Sequence, residues 1–229
     1  MKKEKIILSW SGGKDSSMAL FRILKANKYE VKYLLTTIYE PNKRVSMHGV
    51  PEELIQRQAN SIGIPLKIIY ISEKTHDEYE HKMHSFLTEM KAKGISKVAF
   101  GDIFLEDLKH YREQKLAEVG MTGIFPLWKE RTSELAHYFI DQGFKTHICS
   151  IDNAKIPLHL IATDYSQKFL SELPKVVDPC GENGEFHTFC YDGPIFCHPV
   201  QFKVNSPTLK TYTHDGKVFE YTFSDVSPY

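Results

Sequence analysis

Over its first half the chain alternates short apolar runs with segments of helical period, and this restricts the fold more than any other feature. Lys5 to Ser9, Val31 to Thr37, Leu66 to Ile71 and Val98 to Phe100 read as strands. Between them, Ser16 to Asn27, Pro51 to Ile62 and His76 to Lys93 read as helices, and a further helix follows through "LEDLKHYREQKLAEVG". Strands joined by helices of this length run parallel and bury both faces of their sheet. The expected fold is therefore α/β, a Rossmann-like parallel sheet with helices on both faces.

From about Ile124 the texture changes. "IFPLW" reads as a strand or a turn, and Thr132 to Gln142 as a helix capped by Thr132 or Ser133. Phe144 to Ser150 is a strand, Ile156 to Leu173 is mixed, and Asp178 to Thr188 is dense in glycine and charge. Near the end, "TYTHDGKVFEYTF" alternates around Asp215-Gly216, a hairpin signal. This predicts residues 1–125 as one domain and 126–229 as a smaller C-terminal α+β domain.

Charge excludes some functions. The 29 basic and 29 acidic side chains cancel, so no overall field draws in nucleic acid or an anionic membrane surface. No apolar stretch approaches the ~20 residues that span a bilayer. The apolar run in "MKKEKIILSW" is too short for a signal peptide, which makes the cytoplasm the expected location. Cys149, Cys180, Cys190 and Cys197 contain no C-x-x-C pair and read as free thiols. A zinc site from the last three plus His198 has none of the usual spacings.

Directly behind the first strand stands "SWSGGKDSS", Ser9 to Ser17. A Walker A loop needs a glycine five positions before its Gly-Lys pair, where this chain has Leu8, and Lys14 is followed by Asp15. A dinucleotide fingerprint fails as well, because Gly12 and Gly13 are adjacent with no third glycine. What remains suits an anion. Two glycines admit positive φ and close approach, successive amides form a nest, and the following helix adds its positive end. Lys14 adds a mobile charge, and Ser11, Ser16 and Ser17 add hydroxyls. Asp15 would repel a phosphate unless a cation such as Mg²⁺ stood between them. A capped strand-to-helix turn is the plainer reading, but it asks for neither two glycines nor a lysine.

Ser11-Gly12-Gly13-Lys14-Asp15-Ser16 is similar to the SGGxDS "PP-loop" of N-type ATP pyrophosphatases, of the adenine nucleotide alpha hydrolase (HUP) class. With "SMHG" at 46–49, "FGDI" at 100–103, "PLW" at 126–128 and "CGENGEFHTFCYDGP" at 180–194, the chain resembles the diphthine–ammonia ligase family. The likeness covers nearly all of the first 200 residues.

The resemblance implies that ATP adenylates a substrate carboxylate, pyrophosphate leaves, and ammonia displaces AMP to give an amide. The implied partners are ATP, Mg²⁺, ammonia and a carboxylate-bearing acceptor, with a homodimer left open. It implies that Ser11, Gly12, Gly13 and Ser16 bind the β,γ-phosphates, Lys14 stabilises their developing charge and Asp15 helps hold Mg²⁺. Thr36 and Thr37 fall where adenine sits in such folds. Gly101 and Asp102 end a strand at the ligand-binding edge of the sheet, Asp102 orienting substrate or metal. His48 belongs to a loop that is either a lid or solvated. Substrate contacts are expected from Glu182, Glu185, His187 and Thr188, and Trp128 is either a platform or core.

One position departs from the pattern. Archaeal and eukaryotic diphthine ligases carry EGGEFE where this chain has Glu182-Asn183-Gly184-Glu185-Phe186-His187. Replacing a carboxylate by an imidazole at 187 removes attraction for the trimethylammonium group of diphthine. The Cys180-Gly181-Glu182-Asn183 form resembles a bacterial branch of the family, for which a corrinoid-related carboxylate is the alternative acceptor. A tRNA-thiolating PP-loop enzyme would want a persulfide cysteine pair or a basic surface. A regulatory module that holds ATP or AMP without turnover is the non-enzymatic alternative.

Overall fold

A computed structural model describes residues 3–46, 48–73, 75–214 and 217–229. Five parallel strands make the main sheet: β1 (Glu4–Ser9), β2 (Tyr29–Tyr39), β4 (Leu66–Ile71), β5 (Lys97–Ala99) and β6 (Thr122–Ile124), with a short antiparallel β3 (Arg44–Val45) on β2. They are joined by α1 (Lys14–Ala26), α2 (Glu52–Ile62), α3 (His76–Ala92) and α4 (Glu106–Glu118). Pairing places the parallel strands in the order β4-β2-β1-β5-β6. The chain thus winds outward from β1 through β2 to β4, then crosses back to lay β5 on the other side of β1. Strand order reverses between β1 and β5. Such a switch point opens a crevice at the carboxyl ends of the two strands, where α/β folds take their ligands.

Strand alternation decides what covers each face. Ile6 and Leu8 of β1 point into one cluster with Leu34 and Ile38 of β2, Met18 and Leu20 of α1 and Leu54 and Ile55 of α2. Ile7 points the other way, with Leu35, Ile69 and Val98, against Leu87 and Met90 of α3 and Leu116 of α4. Helices therefore cover both faces, as the sequence period requires. Helix ends follow local chemistry. Asn27 ends α1 and Gly63 ends α2 in the left-handed region, at φ 54° and 78°. Thr75 caps α3 by accepting the Glu78 amide at 3.2 Å.

The second half holds α5 (Thr132–Asp141), β7 (Lys145–Asp152), a 3₁₀ turn at Leu158–Leu160, α6 (Gln167–Glu172) and β8 (Phe186–Asp192). After these come β9 (Phe202–Val204), β10 (Thr208–His214), β11 (Lys217–Phe223) and β12 (Val226–Pro228). An antiparallel sheet runs β10-β11-β7-β8, and β12 pairs with β9. The expected hairpin strands do pair, although Asp215-Gly216 at their turn lies outside the described residues. One expectation is corrected at α5, where neither Thr132 nor Ser133 is the cap. The helix already includes Thr132, and Arg131 precedes it without a side-chain cap. "IFPLW" resolves into the end of β6 followed by a turn. No helix among the described residues is long and apolar enough to cross a membrane.

The two halves share one core. Ile148, Ile151, Phe186 and Phe189 of the antiparallel sheet belong to the cluster that also holds Ile6, Leu8 and the inner faces of α1 and α2. Within it, Phe139 stacks on Phe144 at 4.5 Å and meets Tyr165 edge-on at 5.9 Å. Phe139→Ala is expected to cost about 3–5 kcal/mol, the usual range for emptying a packed aromatic site, read as a lower urea midpoint with unchanged slope.

Candidate functional site

Ser9 ends β1 and the chain turns through Trp10-Ser11-Gly12-Gly13 into α1. The Trp10 amide donates to Leu35 O at 2.8 Å, and its indole Nε1 donates to Gln58 Oε1 at 2.9 Å. Gly12 sits at φ +80°, and a Cβ there would stand 2.6 Å from Ile55 Cδ1, so both backbone and space demand glycine. Gly13 precedes the helix with extended backbone, and its carbonyl accepts from Ser17 N, Ser16 Oγ and Ser17 Oγ at 3.1, 3.0 and 2.9 Å.

The loop's own serines and aspartate do not cap α1. The Lys14 amide donates instead to Thr188 Oγ1 at 3.0 Å, from a strand 174 positions away in the chain. The Asp15 and Ser16 amides lie in the first turn, where no intrahelical acceptor exists and the helix dipole is positive. The loop after β5 lies against this end. A Cβ on Gly101 would stand 2.9 Å from Asp15 C and 3.0 Å from Ser16 N.

These segments enclose a cleft of about 250 Å³. Ser11, Lys14, Asp15 and Ser16 line it from the first loop, Gly101 and Asp102 from the residues after β5, and His48 from the stretch before α2. Glu182, His187 and Thr188 line it from the second half. Ten of the expected site residues are thus gathered from four separate stretches of chain.

Charge inside the cleft is tightly arranged. Lys14 is 3% exposed; its Nζ is 2.6 Å from Asp15 Oδ1 and 5.8 and 5.7 Å from the ring centroids of Tyr165 and Phe186. Burial favours the neutral amine, but the carboxylates of Asp15 and Glu182 oppose it, and the ammonium is held above its ordinary pKa. Asp102 is gripped by Arg112 of α4, with Oδ2 2.7 Å from Nε and Oδ1 3.1 Å from Nη2. Burial nevertheless pushes the Asp102 carboxyl up, against the pull of Arg112.

Glu182 Oε1 accepts the Ile103 and Phe104 amides at 2.7 and 3.3 Å, and burial pushes this carboxyl up to about 7. His48 Nδ1 lies 2.9 Å from Thr188 O, which fixes that nitrogen as the donor, and its ring is 4.8 Å from that of His187. Burial lowers the pKa of both imidazoles, leaving them neutral near pH 7. Among the described residues, His187 Nε2 is buried without a hydrogen-bond partner.

Other expected residues stand elsewhere. Gly12 and Gly13 are not among the residues that line the cleft, and a Cβ on Gly13 would stand 2.8 Å from His48 Cε1 and 3.1 Å from Thr188 O. Thr36 is buried with its hydroxyl donating to Trp10 O at 2.6 Å, and Thr37 lines a separate cavity beside Tyr39 and Arg44. The Glu185 carboxylate braces its own turn, accepting from Asn183 N and Nδ2, each at 3.0 Å. Trp128 packs on Phe125 at 5.9 Å, away from the cleft. Cys149, Cys180 and Cys190 are buried thiols and Cys197 is exposed. Three contributors escape sequence reading. Arg112 carries no motif, and neither does Thr188 in its role as a cap. Gln58 does leave a signal, a polar residue on the buried stripe of α2 with Leu54, Ile55 and Ala59.

Among the described residues no three His, Cys, Asp or Glu side chains converge to hold a metal. Asp15 is 35% exposed in its side chain and offers one carboxylate beside a positive helix end. That donor set suits Mg²⁺ held jointly with phosphate oxygens and water rather than a cage of protein ligands. Gly101→Ala would drive a methyl group into the backbone at the start of α1. It is expected to cost about 1–3 kcal/mol, read as a lower midpoint in urea unfolding.

Two family models match the chain. The diphthamide synthase N-terminal domain matches residues 4–123, and the diphthamide synthase C-terminal domain matches residues 131–219. No curated protein matches it. The N-terminal match takes in the glycine loop and the switch point, and the C-terminal match takes in β8 and the turn before it, so both models meet in the cleft. The chain belongs to the diphthamide synthase family, whose domains are those of a PP-loop ATP pyrophosphatase.

Proposed function

We propose that this protein is an AMP- and pyrophosphate-forming ligase that adenylates a substrate carboxylate and transfers the acyl group to ammonia. The observation that carries the reading is the convergence of the glycine loop with Glu182, His187 and Thr188 on one cleft. A phosphate-binding loop alone would support only nucleotide binding. The reading divides the labour between an ATP-binding unit over residues 1–125 and a family-specific unit over 126–229.

A carboxylate is a poor electrophile, and transfer of AMP to it creates a good leaving group. The acceptor oxygen attacks the α-phosphorus, the bond to the β-phosphate oxygen breaks, and pyrophosphate departs. Ser11, Gly12, Gly13, Ser16 and the first-turn amides of α1 hold its phosphates, and Lys14 answers the charge that develops there. Mg²⁺ held by Asp15 and the phosphates would supply further neutralisation when bound. Asp102, fixed by Arg112, orients substrate at the mouth of the switch point.

Ammonia then attacks the acyl carbon and AMP leaves. An ammonium ion must lose a proton first, and a carboxyl titrating near 7 is suited to taking it. Glu182 is that group, and Glu185 keeps its turn in shape. Neutral His48 and His187 offer no anionic partner to a permanent cation. Asp15, Asp102 and Glu182 still line the cleft, but with one carboxylate fewer at 187 we read the acceptor as a carboxylate without a trimethylammonium group, as in a bacterial-type variant. A corrinoid-related carboxylate is one acceptor of that kind.

The direct test is stoichiometric release of AMP and pyrophosphate from ATP, Mg²⁺ and ammonium in the presence of candidate carboxylates. Lys14→Ala is expected to slow turnover ~10²–10³-fold, the scale for removing one oriented charge stabiliser; full retained turnover would remove its assigned role. For Glu182, the folded carboxyl titrates near 7 against an ordinary 4.5. Between those values the folded chain holds more protons than the unfolded one, so stability falls as pH rises through that window. Turnover of the parent is expected to rise with pH through about 7, and Glu182→Gln should abolish that rise, flatten the stability slope and raise stability above pH 7 in urea titrations.

A further inference from the structure

The Gly12 carbonyl is turned away from the cleft and held there by two donors. Gln58 Nε2 of α2 donates to it at 2.9 Å, and the Cys190 amide of β8 donates to it at 2.8 Å. Gln58 is fully buried, and every polar atom of its amide is used. Its Nε2 also donates to Cys190 O at 2.5 Å, while its Oε1 accepts Trp10 Nε1 at 2.9 Å. One side chain thus ties the glycine loop, β8 and the residue after β1 into a single network.

In a trans peptide the N–H points opposite to the C=O. Pinning the Gly12 carbonyl toward α2 and β8 therefore directs the Gly13 N–H to the other side. There it meets Ser11 Oγ at 3.2 Å, a residue that lines the cleft. Without the pin this peptide is easily reversed, because glycines flank it on both sides. A reversed peptide would aim a carbonyl oxygen at the phosphate and remove one donor from the nest.

We infer that Gln58 is a positioning residue that, with the Cys190 amide, locks the Gly12–Gly13 peptide in its anion-binding orientation before any ligand arrives. The inference rests on the phosphate-binding reading of this loop. It adds that the nest is preformed, and that α2 and the C-terminal sheet preform it.

Two substitutions in the full chain separate the lock from mere packing. Gln58→Met keeps the volume and loses every polar contact. Gln58→Glu keeps the acceptor for Trp10 Nε1 and, when ionised, loses only the donors. The probe is inorganic pyrophosphate, titrated calorimetrically and followed by the Gly13 amide resonance in ¹H–¹⁵N spectra, with circular dichroism to confirm folding. Both variants are expected to bind about tenfold more weakly, the scale of one well-placed hydrogen bond, and to lose the Gly13 shift. On acidification the Glu variant alone should regain affinity, since a protonated carboxyl donates once more.

Folded variants that bind like the parent, with the Gly13 shift intact, would overturn the lock. Should neither variant fold, the parent itself decides. A Gly12 carbonyl ¹³C resonance that stays put on pyrophosphate addition supports a preformed lock, and a large shift overturns it. A parent that binds neither pyrophosphate nor ATP would instead bring down the phosphate-binding reading.

Discussion

β8 lies directly on the glycine loop, and the arrangement of the cleft depends on that docking. Cys190 N on Gly12 O and Thr188 Oγ1 on Lys14 N tie the last strand of the antiparallel sheet to the first turn of the parallel one. The bonds themselves are individually worth about 1 kcal/mol, but they are buried and oriented by a core that both halves share. From this contact follow the position of His187, the enclosure of Lys14 by Phe186, and the placement of Glu182 against the loop after β5. A Rossmann-like sheet offers a crevice at its switch point by topology alone. Here a second sheet supplies the other wall of that crevice.

Closure has an electrostatic consequence. Lys14 is drawn almost wholly out of water and kept charged by the carboxylates around it. Glu182 is in the converse position: burial opposes its ionisation, while two backbone amides and Lys14 favour it, and the balance falls near neutrality. His48 and His187 are kept uncharged. Perturbed groups gather at functional sites more often than elsewhere, and in this one cleft burial raises the Asp102 and Glu182 carboxyls and depresses two imidazoles beside a buried ammonium. The remainder of the shared core offsets what this arrangement costs.

The sequence exposed the site to different depths. The loop at 11–16, Gly101-Asp102 and Glu182-His187 stood out because glycines and charges sat where a capped turn or a solvated loop did not need them, and all three meet in the cleft. Thr36 and Glu185 show the limit of reading by position. Each has the right chemistry near the right place, yet local hydrogen bonds turn its polar atoms toward Trp10 and Asn183. The cap of α1 was equally hidden, because a threonine hydroxyl 174 residues away does what a local serine ordinarily does. Gln58 was half legible, a polar residue on an apolar stripe whose partners no linear pattern names.

Period and punctuation in the chain by themselves determined the parallel sheet and its two covered faces, and marked the first loop as a strand-to-helix turn with more glycine and charge than a cap requires. Each of these follows from interactions within a few residues or from burial of a repeating apolar face. Only the tertiary structure decided which strand caps α1, which side chain grips Asp102, which carboxyl titrates near 7 and which way the Gly12 peptide points. Those are properties of groups brought together across the whole chain, and both desolvation and hydrogen-bond direction depend on neighbours that sequence distance does not encode.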